Sequence, residues 1–358
     1  MNRLVLKDVR RQRPCAPEAN ERVIIGIDLS RSKWVYACRW QGQEQRRLST
    51  PGELRHLQAL VAEYAHCKVE LIYEACGFGY EIAWWAQQSG HSILVVPPST
   101  VEKAPGSAVK TDGHDAGDMA LRGERRMLKS VFIPSREQHE YRQLARTYAQ
   151  ALKDRKRQQA RVRLLLQEHG HVGPGKTWSA YTRWLSTVTL PTPVATCVSH
   201  LLALRHAADL SVTQLQKAVH EVARLPQYQP LVNAISTQKG VGWMTAIQFV
   251  LEIGDIHRFP TAGSLPHYLG LTPSEYSSGD IIHRGRVRRC GPKALRARLV
   301  QCAWQAIRHR RDSALSDCFQ RVVERAGRKR AIVAVARRLA LRVRARWLEF
   351  DTAQSSAH

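Results

Sequence analysis

The sequence is short of acidic residues and contains no long apolar run. Hydrophobic residues make up 44% of its 358 residues, yet no run approaches the roughly 18 that cross a bilayer. The opening from Met1 to Ala19 is basic, contains proline and lacks the apolar core of a secretion signal. We therefore expect a cytoplasmic, two-domain globular protein with no membrane partner.

Cysteine pairs of the C-x-x-C type are also absent. The eight cysteines are scattered along the chain: Cys15, Cys38, Cys67, Cys76, Cys197, Cys290, Cys302 and Cys318. Zinc ribbons and disulfide frameworks need cysteines at characteristic short spacings, so neither is expected. We interpret all eight as reduced thiols.

The shortage of acidic residues leaves a large positive charge. The 55 Lys and Arg against 30 Asp and Glu give a formal net charge of +25 and a pI near 10.3. Between Arg284 and Arg346, 20 basic residues face three acidic ones, a net +17. Such clustering predicts a nucleic acid partner, because neutralising phosphates supplies binding energy. An anionic membrane would attract the same charge, but these residues are spread over helix-like segments rather than one patch.

The first third of the chain has the pattern of a mixed α/β sheet. Val23 to Ser30 is a short, mostly β-branched run that predicts a strand buried on both faces. The remaining pattern predicts strands at 33–40, 69–74 and 92–96, and helices at 51–66, with Thr50 as its cap, and at 80–89.

Carboxylates stand at three separate places in this region. Asp28 and Glu74 each end a predicted strand, and Asp112 and Asp115 are three apart at the start of a predicted helix, where both share one face. Two divalent cations held by such acids can activate and stabilise phosphodiester oxygens. The alternative interpretation is structural: Asp28 is a turn or capping residue, and the pair complements the helix dipole.

The middle of the chain is predicted to be a helical connector. A pattern without Gly or Pro runs from Glu137 to Glu168, with sparse apolar positions among many Arg and Lys. It fits either pairing between subunits or a solvated helix. Residues 170–196 are interpreted as a loop-rich linker, and 198–223 as a further helix.

The last part of the chain combines a glycine turn, two serines and many arginines. Gly240 and Gly242 precede an apolar helix, as in a helix-hairpin-helix that holds a phosphate with backbone N–H groups. Ser277 and Ser278 lie in a predicted Gly-bounded loop, and the basic residues that follow are Arg284, Arg286, Arg288 and Arg289. A serine beside arginines is suited to attack a phosphate, although most serines in such loops are turn residues.

The order of the motifs resembles one family. The motifs are Ile-Gly-Ile-Asp-Leu-Ser at 25–30, Tyr-Glu-Ala-Cys-Gly at 73–77, Lys-Thr-Asp-x-x-Asp-Ala at 110–116, Gly-Val-Gly at 240–242 and Gly-Leu-Thr-Pro…Ser-Ser-Gly ending at 279. Together, over roughly residues 22–306, they resemble the DEDD insertion-sequence transposases related to the Piv DNA invertase, which include bridge-RNA-guided recombinases.

The resemblance implies a fold and a set of site residues. The fold would be an α/β N-terminal domain of the RNase-H or RuvC-like type, a long helical connector that mediates oligomerisation, and a mostly α C-terminal transposase domain with a helix-hairpin-helix. Asp28, Glu74, Asp112 and Asp115 fall on the magnesium-binding acids, with Asp118 competing with Asp115. Ser278 falls on the nucleophilic serine, with Ser277 as the neighbouring alternative. Arg288 stands near where relatives carry a lysine.

The function expected on this basis is strand exchange in the DNA of an insertion sequence through a phosphoserine link. Expected partners are donor and target DNA, a noncoding guide RNA and further copies of the chain, with a location at the bacterial nucleoid. Two alternatives stay open, a RuvC-like junction nuclease that needs no serine and a non-catalytic nucleic-acid-binding protein. The expected domains are a basic extension (1–20), the RuvC-like domain (21–135), the connector (136–225), the serine domain (226–350) and a tail (351–358).

Overall fold

The computed structural model of the chain describes residues 15–98, 112–175, 177–278, 281–287, 291–308 and 312–356. Within these ranges the side chains of residues 112–114, 274–278, 281–284 and 286–287 lie outside the description. The chain divides into two units, Met1–Arg136 and Glu137–His358. The five expected domain limits stay predictions.

The first unit is built on a five-stranded sheet with the strand order β3-β2-β1-β4-β5. Strands β1 to β3 are antiparallel neighbours, whereas β4 and β5 run parallel to β1. The bounds are β1 Arg22–Leu29, β2 Lys33–Trp40, β3 Gln43–Pro51, α1 Leu54–Ala62, β4 Lys68–Glu74, α2 Glu81–Gln88, β5 Ser92–Val96 and α3 Asp112–Glu124. The mixed α/β sheet and four of its strands were predicted from the sequence and are confirmed.

Strand β1 is the centre of this unit. Its residues Val23, Ile25 and Ile27 contribute to a core on one face of the sheet, while Ile24 contributes to a second core together with Ala116 and Ala120 of α3. Burial on both faces explains why the strand is an unbroken apolar run instead of an alternating one.

The sequence prediction was wrong at strand β3. Pro51 was predicted to open a helix capped by Thr50, but both residues belong to β3, in which Thr50 pairs with Trp34 of β2. The Thr50 hydroxyl lies 3.1 Å from the buried Tyr36 hydroxyl, so it satisfies a core polar group instead of a helix end. Helix α1 begins later, with Glu53 at its N-cap.

Helix α3 packs on the sheet antiparallel to β1. Near its N-terminal end the helix approaches Gly26, where an added Cβ would lie 2.2 Å from the Ala116 carbonyl oxygen. At its C-terminal end, the Arg22 guanidinium donates to the carbonyl oxygen of Gly123 at 3.2 Å. The Glu124 carboxylate there accepts from Arg39 at 3.0 Å, which ties the helix to β2 as well. These contacts fix the direction and the height of α3 over the strand.

The second unit is mostly helical, as predicted. Its bounds are α4 Arg136–Glu168, α5 Trp178–Leu185, α6 Thr192–Ala223, α7 Gln229–Ser236, α8 Trp243–Ile253, α9 Ser264–Tyr268, β6 Pro273–Ser278, β7 Ile281–Val287, α10 Lys293–Ile307, α11 Ser313–Ala326 and α12 Arg328–Ser355. Its main core centres on α8, where every residue from Thr245 to Ile253 is buried. The buried Glu252 carboxylate accepts two hydrogen bonds from Arg146, at 2.7 and 2.9 Å, and so joins α8 to α4.

The expected linker at 170–196 contains a helix of its own. Helix α5 begins after Thr177, whose hydroxyl accepts from the Ala180 N–H at 3.2 Å. Tyr181 of α5 is buried with Val162 of α4 and Val198 of α6 in a separate small core. This helix was not predicted because it has few aliphatic residues at helical spacing, and aromatic residues supply most of its apolar surface.

The prediction of a loop at Ser277 and Ser278 was also wrong. Ser277 and Ser278 are the last residues of β6, where they pair with Ile282 and Ile281 of β7. A two-stranded ribbon therefore stands where a Gly-bounded loop was predicted. The backbone pairs despite the serine and glycine content, because each strand supplies the other's hydrogen-bonding partners.

Two further properties apply to the described parts of both units. No helix in the described ranges is long and apolar enough to cross a membrane. All seven cysteines within those ranges are free thiols, and Cys290 lies outside them.

Candidate active site

Two of the predicted acids lie side by side in the structure. Ile27 pairs with Tyr73 in the parallel β1–β4 ladder, so Asp28 and Glu74 follow at neighbouring positions where both strands end. Both side chains are half-buried. The chain after Glu74 is held by a hydrogen bond of 2.8 Å from the Ala75 N–H to the Val96 carbonyl oxygen. Ligands of α/β sheets usually bind at the carboxyl ends of the strands, which is where Asp28 and Glu74 lie.

The negative charges of both carboxylates affect the thiol of Cys76. Its pKa is raised, first by desolvation and then by the negative charges of Glu74 and Asp28, while a hydrogen bond from the Phe78 backbone lowers it. Both carboxylates therefore contribute negative charge at the position of Cys76. That concentration of negative charge favours a cation.

Helix α3 brings its acidic end to the same edge of the sheet. From Gly26 to Asp28 the strand rises about 7 Å, and from Ala116 back to Asp112 the helix extends about 6 Å in the same direction. Because α3 is antiparallel to β1, its first turn is level with the strand end that carries Asp28. Asp112 begins the helix, and its side chain lies outside the described residues.

Asp115 and Asp118 differ in their surroundings. Asp115 is half-buried, one position before the residue that meets Gly26. The side chain of Asp118 is 52% exposed and lies 3.7 Å from the Arg122 guanidinium one turn later. The exposed acid with its own cation is the weaker candidate for a metal ligand.

The donor chemistry of this edge suits magnesium. Carboxylate oxygens are the hard ligands that Mg²⁺ prefers. No group of three or more His, Cys, Asp or Glu side chains able to hold a metal ion occurs among the side chains that the structure describes. Asp28 and Glu74 would supply two ligands to a magnesium ion there, and the magnesium site stays a prediction that depends on α3.

The two glycines of the second unit have different environments. Gly240 has a φ of 88°, and an added Cβ would lie 2.9 Å from the Cys302 carbonyl oxygen of α10. Gly242 is the N-cap of α8, with open space where its Cβ would be. Packing accounts for Gly240, whereas Gly242 leaves room for a phosphate to approach the helix. The helix-hairpin-helix interpretation of α7 and α8 stays a prediction.

The predicted serine and arginines are only partly described. Ser277 and Ser278 end β6, and Arg284 and Arg286 lie in β7, but their side chains are outside the description. Arg288 and Arg289 lie outside the described residues altogether. The structure therefore gives a backbone position for the candidate nucleophile and no side-chain geometry.

One group of basic residues near the glycine turn was missed. Lys239, Arg342 and Arg346 line a polar cleft of about 520 Å³ beside the turn that contains Gly240. Its two acids are engaged: Asp312 pairs with Arg342, and Glu349 lies 3.4 Å from Arg346. The i, i+4 spacing of the two arginines in α12 was a signal that could have identified this cleft from the sequence.

Comparisons with known proteins agree on one class of enzyme. A family model described as Transposase IS116/IS110/IS902 family matches residues 232–317, and a model of IS110-type DEDD transposases matches residues 25–171. The protein y4qE of Sinorhizobium fredii, which bears a transposase name, is 28% identical over 291 residues, or 78% of this chain and 70% of its own.

Two insertion-sequence transposases show the same level of similarity. The transposase for insertion sequence element IS1111A of Coxiella burnetii is 27% identical over 74% of each chain. The transposase for element IS1328 of Yersinia enterocolitica is 23% identical over 78% of this chain and 82% of its own. The candidate acids lie in the first matched segment and Ser278 in the second, and the chain belongs to the IS110/IS116 family of DEDD insertion-sequence transposases.

Proposed function

We propose that this transposase cuts and rejoins DNA through a covalent link to Ser278, with Mg²⁺ held by Asp28, Glu74, Asp112 and Asp115. The metal-binding part of this proposal is supported by one observation: the ends of β1, β4 and α3 lie at the same edge of the sheet. Asp28 and Glu74 lie at the carboxyl ends of neighbouring parallel strands, and the antiparallel helix α3 directs its acidic first turn to the same edge. A RuvC-like relationship of the first unit is part of the same proposal.

Bound magnesium would act as a Lewis acid on phosphate oxygens and stabilise the charge that develops during displacement. The protein's own part is to hold the ligands in place. The β1–β4 ladder sets the separation of Asp28 and Glu74, and Gly26 lets α3 approach the sheet. We assign the fourth position to Asp115 rather than Asp118, because Asp118 is more exposed and faces Arg122.

The serine step conserves phosphodiester bonds. The Ser278 oxygen bonds to phosphorus, the bond from phosphorus to one deoxyribose oxygen breaks, and that oxygen leaves as a hydroxyl that takes up the serine proton. The hydroxyl of a new strand reverses the step, so rejoining needs no energy-rich cofactor. Arginines of β7 and the residues after it supply positive charge for the phosphate.

The partners in this proposal are nucleic acids and further copies of the chain. The net charge of +25 supports binding to donor and target DNA and leaves capacity for a noncoding guide RNA. The long helices α4 and α6 support a role in oligomerisation, because they extend well beyond the main core and carry the exposed apolar residues Leu164, Leu204 and Leu210.

The decisive experiment incubates the purified chain with DNA carrying the element's ends, with its co-purifying RNA retained, and separates products on a denaturing gel. We expect a covalent protein–DNA adduct that needs Mg²⁺, is lost in Ser278→Ala and persists in the matched Ser277→Ala control. Asp28→Asn should abolish cutting, and Asp118→Asn should leave it near wild type. Adducts that survive Ser278→Ala would overturn the serine assignment. Cutting without any adduct would indicate the junction-nuclease alternative.

The metal site can be tested apart from activity. Mn²⁺ is a paramagnetic substitute for Mg²⁺ with similar oxygen preference. We expect its electron paramagnetic resonance signal to show binding in the wild type and in Ser278→Ala, and to lose that binding in Asp28→Asn and Glu74→Gln. Unchanged Mn²⁺ binding in both acid variants would refute the site.

A further inference from the structure

A pocket of about 420 Å³ lies between α10, α11 and the beginning of α12. Its volume is within the range of about 300–1,000 Å³ that is typical of small-ligand sites. Its described lining residues include neither a proposed metal ligand nor a residue of β6. The pocket therefore needs an explanation of its own.

An exposed tryptophan forms part of the wall of this pocket. Trp304 is 36% exposed, although its neighbours Cys302, Ala303 and Ala306 on α10 are buried. Phe319 of α11, which is only 8% exposed, contacts the indole edge-on with ring centroids 5.5 Å apart. The indole is thus fixed on one side and open on another. A fixed aromatic ring that remains exposed is a stacking surface for a planar ligand.

The charge at the rim of the pocket favours an anion. Arg308 and Arg328 both line it, and neither lies within 4 Å of a carboxylate among the residues that the structure describes. Arg328 is also followed by Lys329 and Arg330, with no acidic residue in the first turn of α12. Cations at this end of a helix are repelled by its dipole, so an approaching phosphate relieves an unfavourable local charge.

One acidic side chain refines the identity of the ligand. Asp317 of α11 also lines the pocket. A carboxylate there opposes a bare phosphate or sulfate, but it can accept a hydrogen bond from the exocyclic amine of a nucleobase. An aromatic wall, two arginines and one acceptor together match a nucleotide with its base and its phosphate.

We propose that this pocket binds an unpaired nucleotide of a DNA strand, with the base stacked on Trp304 and the phosphate beside Arg308 and Arg328. The proposal rests on the proposed function, since cutting and exchanging strands exposes unpaired nucleotides. A base inside a duplex cannot present its face to a side chain, so the pocket is specific for single strands. It would hold a strand end in place while the phosphodiester is broken and rejoined elsewhere.

The first test measures binding of a labelled deoxycytidine oligonucleotide and of a matched duplex by fluorescence anisotropy with the full chain. Trp304→Ala should weaken single-strand binding about tenfold, because one stacked base contributes roughly 1–3 kcal/mol. Duplex binding should stay unchanged. Trp304→Phe keeps an aromatic face and should restore most of the single-strand affinity.

Salt dependence separates stacking from charge. Arg308→Gln and Arg328→Gln should each reduce the slope of log affinity against log salt by about 0.7, the value for one phosphate contact on a single strand. Trp304→Ala should weaken binding without changing that slope. Arg337→Gln is the matched control, because it removes the same charge from an exposed position on α12 outside the pocket. It should leave the ratio of single-strand to duplex affinity unchanged.

Crosslinking identifies the contact directly. Ultraviolet irradiation of a bound strand that contains 5-iododeoxyuridine should attach it to the peptide containing Trp304 or Phe319. Crosslinks only at other peptides, together with wild-type single-strand binding by Trp304→Ala, would overturn the proposal while DNA cutting by the wild type keeps the proposed function intact. If the wild type binds neither duplex nor single strand, the proposed function itself fails.

Two other occupants give distinct results. Tighter binding of the matching ribonucleotide strand would assign the pocket to RNA and overturn the DNA assignment. A change of sedimentation coefficient in Trp304→Ala, without nucleic acid, would assign the pocket to a contact with a second copy of the chain. An unchanged sedimentation coefficient with tighter binding of DNA than of RNA supports the proposal.

Discussion

Gly26 of β1 lies against the backbone of Ala116 in α3, so closely that a Cβ on Gly26 would come within 2.2 Å of the Ala116 carbonyl oxygen. The same Cβ would lie 2.8 Å from the Ala120 nitrogen. Only glycine permits this approach, because neither contact can be relieved by turning a side chain. The pair sets the height of α3 over the sheet, and with it the position of the acid-bearing first turn beside Asp28.

Gly26→Ala should therefore separate α3 from β1. We expect a loss of about 3 kcal/mol in the free energy of unfolding, since backbone must move to accept the new methyl group. Mn²⁺ binding should weaken even in the folded variant, because the first turn of α3 is displaced. Denaturant unfolding and Mn²⁺ resonance measure the two effects.

The matched control for this prediction is Gly77→Ala, since an added Cβ at Gly77 meets nothing within 4 Å. It should change stability by less than about 1 kcal/mol. Equal stability of the Gly26 and Gly77 variants would contradict the role given to the Gly26 contact.

The two glycines before α8 should respond differently to the same substitution. Gly240→Ala places a methyl group 2.9 Å from the Cys302 carbonyl oxygen at a φ of 88°, so we expect it to destabilise the second unit by about 2–3 kcal/mol. Gly242→Ala meets open space at the N-cap, so we expect a loss of no more than about 1 kcal/mol.

Calorimetric unfolding distinguishes the two variants, and duplex binding adds a second readout. Folded Gly242→Ala should bind duplex DNA more weakly if a phosphate sits at the N-terminus of α8. Normal duplex affinity in Gly242→Ala would remove that site, and a fully stable Gly240→Ala would contradict the packing against α10.

The sequence predicted the two strands of the candidate site, β1 and β4, better than it predicted β3 and the position of α3. The strands that carry Asp28 and Glu74 near their carboxyl ends are apolar runs, because they are buried between layers, and that pattern is visible without a structure. Strand β3 was missed because it is an edge strand: Gln43 to Arg47 are polar, and only its later residues Leu48 and Thr50 are buried.

The orientation of α3 over the sheet could be found only from the structure. The spacing of Asp112 and Asp115 places both on one face of a helix but gives no direction for that helix over the sheet. The direction comes from long-range contacts, at Gly26 near one end and between Arg22 and Gly123 at the other. Similarly, no local pattern could bring Trp304 next to Phe319, which lie on different helices.

Buried acidic groups should make the first unit sensitive to alkaline pH. Burial raises the pKa of Tyr36, Cys38 and Tyr64 to about 12, from ordinary values of 10.0, 9.0 and 10.0. Above pH 9 the unfolded chain loses protons that the folded chain retains, so stability falls as pH rises from about 9 to 12. Each group contributes up to about 1.4 kcal/mol per pH unit in this window.

Scanning calorimetry between pH 7 and pH 11 checks this expectation, with the Cys38→Ala variant as the comparison. Cys38 has the lowest unfolded pKa of the three, so its removal should flatten the decline between about pH 9 and 10. A melting temperature that stays constant from pH 8 to pH 11 would contradict the burial of these groups.

In the proposed enzyme, the metal ligands and the nucleophile lie on different units of the chain, and Ser278 is the residue that bonds to DNA. The most direct test digests the covalent adduct with protease and nuclease and identifies the peptide that retains a nucleotide by mass spectrometry. The account predicts one modified peptide, with the nucleotide on Ser278 and none on Ser277. A nucleotide on any other residue, or DNA cut with no modified peptide, would contradict it.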